Sequence, residues 1–160
     1  MTAVVLALGS NLGARLENLR AAVAMLQEGG VQVTARSSIW ETAPVPADQP
    51  PFLNAALAGE TALAPLELLR LAKSVEWRLG RRPGRRWGPR PIDIDLIFSG
   101  EQSLDSAELT LPHPRIAERA FVLAPLAEVW PGPLPVLGSR AVEVLAAVGM
   151  DGVVRTGAAL

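Results

Sequence analysis

Two aspartates separated by one residue, Asp93 and Asp95, follow a stretch crowded with arginine. Arg78, Arg81, Arg82, Arg85, Arg86 and Arg90 fall within thirteen residues that contain no acid. From Ile92 to Phe98 the residue types alternate, which predicts a strand. On a strand, residues two apart share a face, so Asp93 and Asp95 stand side by side with α-carbons roughly 6.6 Å apart. Ile92, Ile94, Leu96 and Phe98 are then expected on the opposite face, in a core. Two carboxylates this close repel each other unless a cation lies between them. Oxygen donors suit magnesium, which keeps several waters and takes substrate phosphates as further ligands. A solvated strand face, or simple ion pairing with the neighbouring guanidiniums, accounts for the same residues more plainly. The arginines outnumber these two acids, however, and surplus guanidinium in a Gly/Pro-rich loop suits a polyanion gripped by bidentate forks. No Gly-x4-Gly-Lys-[Ser/Thr] loop occurs, so a P-loop site is excluded. Magnesium and arginine together are a sufficient kit for in-line transfer of a phosphoryl-type group from ATP.

A second constellation runs from Thr42 through Ala43, Pro44, Val45 and Pro46 to Phe52 and Asn54. Phe52 and Asn54 share a strand face. A flat ring and an amide with two donors and an acceptor can recognise a planar heterocycle. A core phenylalanine and a turn-capping asparagine explain the pair more simply. Gly9 to Gly13 (GSNLG) resembles an anion-binding turn before a helix, and ordinary capping by Ser10 or Asn11 reads the same letters. His113 lies between two prolines near Arg115 and Arg119, where a phosphate contact competes with a structural role.

These groups need elements to hold them. Ala3 to Leu8 reads as a buried strand, and Arg15 to Gln27 as a helix with apolar residues at helical spacing, stopped by Gly29-Gly30. Val31 to Trp40 reads as a strand with an irregularity before Ile39. The four prolines between Glu41 and Pro51 forbid regular structure. Phe52 to Thr61 is expected to be a strand, and Pro65 to open a helix that ends at Gly80. After the Ile92–Phe98 strand come a short strand at Leu109–Leu111, two short helices near 116–128 and 141–148, and a loose tail beyond Met150. Strand, helix, strand, strand, helix, strand is the order of a ferredoxin-like β-α-β-β-α-β sandwich. It is an α+β fold with helices on one face of an antiparallel sheet, here with a C-terminal helical extension.

Composition excludes much else. The 160 residues are 49% hydrophobic and carry no cysteine and one histidine. One domain, residues 1–160, fits that length. Disulfides, thiolate catalysis and multi-histidine metal sites are ruled out, which leaves oxygen-held magnesium, manganese or calcium. No apolar run approaches the ~18 residues of a membrane span and no signal-type leader is legible, so a cytoplasmic protein is expected. The net charge of −1 provides no global pull on nucleic acid. An RNA-binding module using Arg78–Arg90 is the rival reading, weakened by the lack of an aromatic RNA-binding motif. A structural protein whose arginines meet a partner's acids is another.

Taken together, several blocks resemble the 6-hydroxymethyl-7,8-dihydropterin pyrophosphokinase family of folate biosynthesis. They are LGSNLG (8–13), ETAP (41–44), DQP (48–50), FLNAA (52–56), Gly80-Arg81, RWGPR (86–90), Asp93-Ile94-Asp95, LTLPH (109–113) and RAFVL (119–123). They occur in family order over about residues 8–128. The resemblance implies transfer of diphosphate from ATP to the pterin hydroxymethyl group, releasing AMP. By position Asp93 and Asp95 would hold two magnesium ions, and Arg90 would contact phosphates. Arg81 and Arg82 would be the mobile-loop arginines, with Arg85 the alternative to Arg82. Thr42, Pro44, Val45 and Asn54 would bind the pterin edge, and Phe52 and Phe121 would sandwich its ring. Glu76, Thr110, His113 and Arg119 would surround ATP. The chain departs from relatives at Phe52 (tyrosine in some), at Pro114 and at Glu108. The resemblance also implies a stand-alone, monomeric version acting on small molecules, with no nucleic-acid or membrane partner.

Overall fold

The computed structural model describes residues 1–84 and 87–160. Among them, β1 (Thr2–Ser10) is followed by α1 (Arg15–Glu28), β2 (Val31–Arg36), β3 (Ser38–Thr42), β4 (Phe52–Thr61), α2 (Pro65–Arg78) and β5 (Asp93–Ser99). The short strands β6 (Leu104–Asp105) and β7 (Thr110–Leu111), a 3-10 turn at Ile116–Glu118, α3 (Ala120–Val129), α4 (Ala141–Val148) and β8 (Val153–Ala159) complete the chain. The main sheet is antiparallel in the order β5-β1-β4-β3-β8, with β2 also paired to β4. The fold is therefore α+β. No helix among the described residues is long and apolar enough to cross a membrane.

The local reasons are visible in the sequence. Pro65 opens α2 with the φ that a first helical turn needs, and Glu67 Oε1 accepts the Ala64 N–H at 2.9 Å, satisfying a donor the helix leaves free. Gly80, at φ +101°, turns the chain out of α2 into the arginine loop, where Arg81 N–H donates to Glu76 O at 3.0 Å. The predicted irregularity before Ile39 is real: Ser37 separates β2 from β3. Its hydroxyl accepts the Ala56 N–H at 2.8 Å, so one side chain covers the gap in the ladder.

Four expectations need correction. Helices cover both faces of the sheet, not one. Leu19, Leu26, Leu68 and Val75 of α1 and α2 pack on one side, while Val122, Leu123 and Leu126 of α3 pack on the other. The tail beyond Met150 is an ordered edge strand, β8, paired to β3 from Ser38↔Ala159 to Thr42↔Val153. Neither Ser10 nor Asn11 caps α1, whose N-cap is Ala14 with no side-chain bond. Finally, Phe98 does not follow Leu96. The β1–β5 register passes from Leu6↔Leu96 to Val5↔Phe98, leaving Ile97 as an extra residue. One inserted residue flips the alternation. Phe98 thus joins the α3 side, edge-on to Trp130 at 4.8 Å.

Candidate active site

Strand register assembles the site. Gly9 of β1 lies opposite Asn54 on one side and opposite Asp93 on the other. Directly opposed residues share a face, so Asn54, Gly9 and Asp93 form one row across three strands. Ala7 makes the next row with Ala56 and Asp95. Thr42 is opposite Phe52, two residues from Asn54. The bulge at Ile97 lies beyond both aspartates, so the predicted pairing of Asp93 with Asp95 on one face, away from buried Ile92 and Ile94, holds. Glycine at position 9 is required by space: a Cβ there would sit 2.9 Å from Asn54 Oδ1 and 3.5 Å from Phe52.

Over these rows opens a cleft of about 730 Å³. One end carries Asp93, Asp95, Arg81, Arg90, His113 and Arg119, and the other Thr42, Val45, Phe52, Asn54 and Phe121. Most of the predicted site residues are thus brought together. A second cleft of about 650 Å³ shares Lys73, Arg81 and Arg90 with the first and adds Glu76 and Arg82. Pro44 lines neither cleft, although its neighbours Ala43 and Val45 line the first. Thr110 also lines neither, and sits opposite Asp105 in the small β6-β7 ribbon. Arg85 is outside the described residues.

The electrostatics of the charged end are specific. Asp93 meets two guanidiniums, Arg81 at 3.4 Å and Arg90 at 3.2 Å. Asp95 receives no hydrogen bond or ion pair from a described residue. Burial, then the charge of Asp93, raises its carboxyl from 3.8 to about 6, against the opposing pull of Arg119. Two adjacent acids, one of them without a direct ion pair, are a donor set that fits a hard divalent cation. Among the described residues no cluster of three or more acids, histidines or cysteines could hold a metal alone. Any ion here would need water and substrate oxygens, which is how magnesium is commonly held. His113 is driven below its usual range by burial first, then by Arg119 and Arg115, and its Nδ1 accepts the Arg115 N–H at 3.2 Å. The ring is therefore a neutral group at working pH. Arg82 lies flat over Trp77, 3.6 Å from the ring centre, and donates to the Trp77 and Arg81 carbonyls at 2.8 Å. It is parked away from Asp93 and Asp95.

Three residues matter more than the sequence reading foresaw. Glu76 is 2% exposed, yet its carboxylate is fully engaged. Oε2 accepts the Ile94 N–H at 2.8 Å, between the two aspartates, and Oε1 meets Arg81 at 2.9 Å and Lys73 at 3.3 Å. Asn11, also buried, joins two loops. Its amide donates to Gln49 Oε1 at 2.8 Å and to Pro50 O at 3.1 Å, and its Oδ1 accepts the Arg90 N–H at 2.8 Å. Gln49 in turn donates to Trp87 O at 2.7 Å. Asn11 and Gln49 lie in the LGSNLG and DQP blocks of the resemblance, but nothing in their spacing announced a bond between them. At the uncharged end Asn54 donates to Thr42 Oγ1 at 2.6 Å, holding the amide against the strand opposite Phe52.

Comparison with known proteins identifies a family. The family model for 7,8-dihydro-6-hydroxymethylpterin-pyrophosphokinase (HPPK) matches residues 5–131. A 2-amino-4-hydroxy-6-hydroxymethyldihydropteridine pyrophosphokinase of Bacillus subtilis (strain 168) is 50% identical over 126 residues, 78% of this chain and 75% of that protein. A mitochondrial folate synthesis bifunctional protein of Arabidopsis thaliana is 50% identical over 127 residues, 79% of this chain, and the chain spans only 23% of its length. A crystal structure of HPPK-DHPS in complex with substrates superposes with a TM-score of 0.73 at 13% identity, over 91% of this chain and 43% of that one, a likeness of fold. On the family match and the identity to the Bacillus protein, the chain belongs to the 7,8-dihydro-6-hydroxymethylpterin-pyrophosphokinase family.

Proposed function

We propose that the chain transfers diphosphate from ATP to the hydroxymethyl group of 6-hydroxymethyl-7,8-dihydropterin, releasing AMP, with magnesium at Asp93 and Asp95. The observation that carries this is the single cleft that joins a carboxylate–guanidinium end to an aromatic–amide end. A planar heterocycle bearing a short alcohol spans those two environments. Phe52 and Phe121 offer apolar flanks for its ring, and Asn54, held by Thr42, offers an amide edge. This places the alcohol toward Asp93 and Asp95. The hydroxyl oxygen attacks the β-phosphorus in line, the bond from that phosphorus to the α–β bridging oxygen breaks, and AMP departs.

Arg81 and Arg90 bind the polyphosphate. In this structure they neutralise Asp93, so they already stand where the chain's charge must be met, and their forks suit phosphate oxygens. Two magnesium ions bound by Asp93 and Asp95 would offset charge on the transferring group. Arg82, the chain neighbour of Arg81, would join them once released from Trp77. Neutral His113 can donate to a nucleotide oxygen without adding charge, and Arg119 adds a cation beside it. The strand order β5-β1-β4-β2, with α1 and α2 as crossovers, supports the ferredoxin-like reading. The RNA-binding alternative loses its platform, because α3 covers the second face of the sheet.

The test is a product assay with ATP, magnesium and the reduced pterin alcohol. AMP and a pterin diphosphate are expected. ADP in place of AMP would make the chain a simple kinase, and no turnover would refute the reading.

A further inference from the structure

The family match ends at residue 131, yet the cleft does not. Val148, Gly149, Asp151, Gly152 and Val153 all line it, beside Thr42, Ala43 and Val45. They form the turn between α4 and β8. Its path needs glycine at both ends: Gly149 has φ +89° and Gly152 φ +74°, a region that side chains disfavour. The turn is anchored where the heterocycle end is built. The Gly152 carbonyl accepts the Ala43 N–H at 3.0 Å, and Val153 lies opposite Thr42. A Cβ on Gly152 would sit 3.5 Å from the Ala43 Cβ.

Strand β8 has its own ties. Thr156 Oγ1 donates to Ile39 O at 2.8 Å, Leu160 N–H to Ser37 O at 3.2 Å, and Arg155 to Ser38 Oγ at 2.8 Å. The outer strand therefore holds β3 against β4, and with it the Thr42 hydroxyl that receives Asn54. Asp151 is the one polar side chain this turn adds to the cleft. It is exposed and takes no hydrogen bond or ion pair from a described residue. A carboxylate with both oxygens free is a natural acceptor for a pair of N–H groups on a heterocycle's edge.

We propose that the Gly149–Val153 turn is the outer wall of the heterocycle subsite, that the Gly152–Ala43 bond sets its position, and that Asp151 selects for an amino-substituted, N–H-rich edge. This rests on the pterin reading above and names a specificity residue for it. Binding decides the matter. The whole chain is titrated with 6-hydroxymethylpterin, with its analogue lacking the exocyclic amine, and separately with a non-hydrolysable ATP analogue plus magnesium.

Asp151→Ala is expected to weaken the amino heterocycle on the order of tenfold, to erase the parent's preference over the desamino analogue, and to leave nucleotide affinity within about twofold. Gly152→Val is expected to weaken both heterocycles with the nucleotide unaffected. If that variant loses its circular-dichroism signature, Asp151→Ala on the exposed turn decides alone. Unchanged heterocycle affinity in Asp151→Ala overturns the proposal while the parent's binding upholds the function. Parallel loss of nucleotide binding overturns it in favour of a merely structural turn. A parent that binds no pterin at all removes both.

Discussion

Replacing Glu76 by glutamine tests whether one buried carboxylate organises the charged end. The change keeps shape and removes one acceptor oxygen. Glu76 Oε2 now serves the Ile94 N–H at 2.8 Å, and Oε1 serves Arg81 at 2.9 Å. Glutamine has one oxygen for these two duties. If it stays on Ile94, its NH2 faces Arg81. If it turns to Arg81, its NH2 faces the Ile94 N–H. Either way a donor is left against a donor in a site 2% exposed. Hydrogen bonds to charged groups are worth about 1.5–3 kcal/mol, and a stranded buried donor carries a similar penalty. Lys73 adds little, because its side chain is 58% exposed. A loss of about 2–3 kcal/mol follows, which lowers Tm by about 4–12 °C in a protein of this size. Turnover should fall as well, since Ile94 sits between the two aspartates and Arg81 keeps only Asp93. Thermal unfolding by circular dichroism, paired with AMP release, reads both effects. A Glu76→Gln protein that melts within about 1 °C of the parent and turns over normally would refute the reasoning.

Asp95→Asn should abolish turnover and leave the fold intact, checked by the product assay and circular dichroism; near-normal activity would remove the metal assignment. The same variant has a pH signature. Asp95 binds its proton up to about 6 when folded and only to 3.8 otherwise, so the folded state holds more protons between those values and stability falls as pH rises through them. The parent should therefore melt lower at pH 8 than Asp95→Asn, with the gap closing below about pH 4. Arg82→Ala should lower turnover on the order of 10³-fold with ATP affinity little changed. In the parent, nucleotide binding should alter Trp77 fluorescence as the guanidinium leaves the ring. Asn54→Ala removes the 2.6 Å bond to Thr42 and should weaken pterin binding about tenfold, with nucleotide binding preserved, in the same titration.

Much of the site was legible because it depends on local rules. Alternation around Asp93 and Asp95 places both on one face because no bulge falls between them, and proline and glycine mark the two loops that flank the cleft. Asn11, Gln49 and Glu76 were harder to read. The Asn11–Gln49, Asn11–Arg90 and Glu76–Ile94 bonds span 38, 79 and 18 residues, and no periodicity encodes such a bond. The ion pairs of Arg81 and the parking of Arg82 on Trp77 likewise depend on where a loop comes to rest.

By itself the sequence determined the order of elements from β1 to β5, the pairing of the aspartates and the chemistry each end of the cleft could offer, because these follow from residue type and short spacing. Only the tertiary structure decided that helices cover both faces, that Ile97 bulges and turns Phe98 over, and that the tail returns as β8 to close the heterocycle end. Those outcomes rest on contacts between residues far apart in the chain, whose energies are set by packing and register across the whole sheet, beyond any single segment's preference.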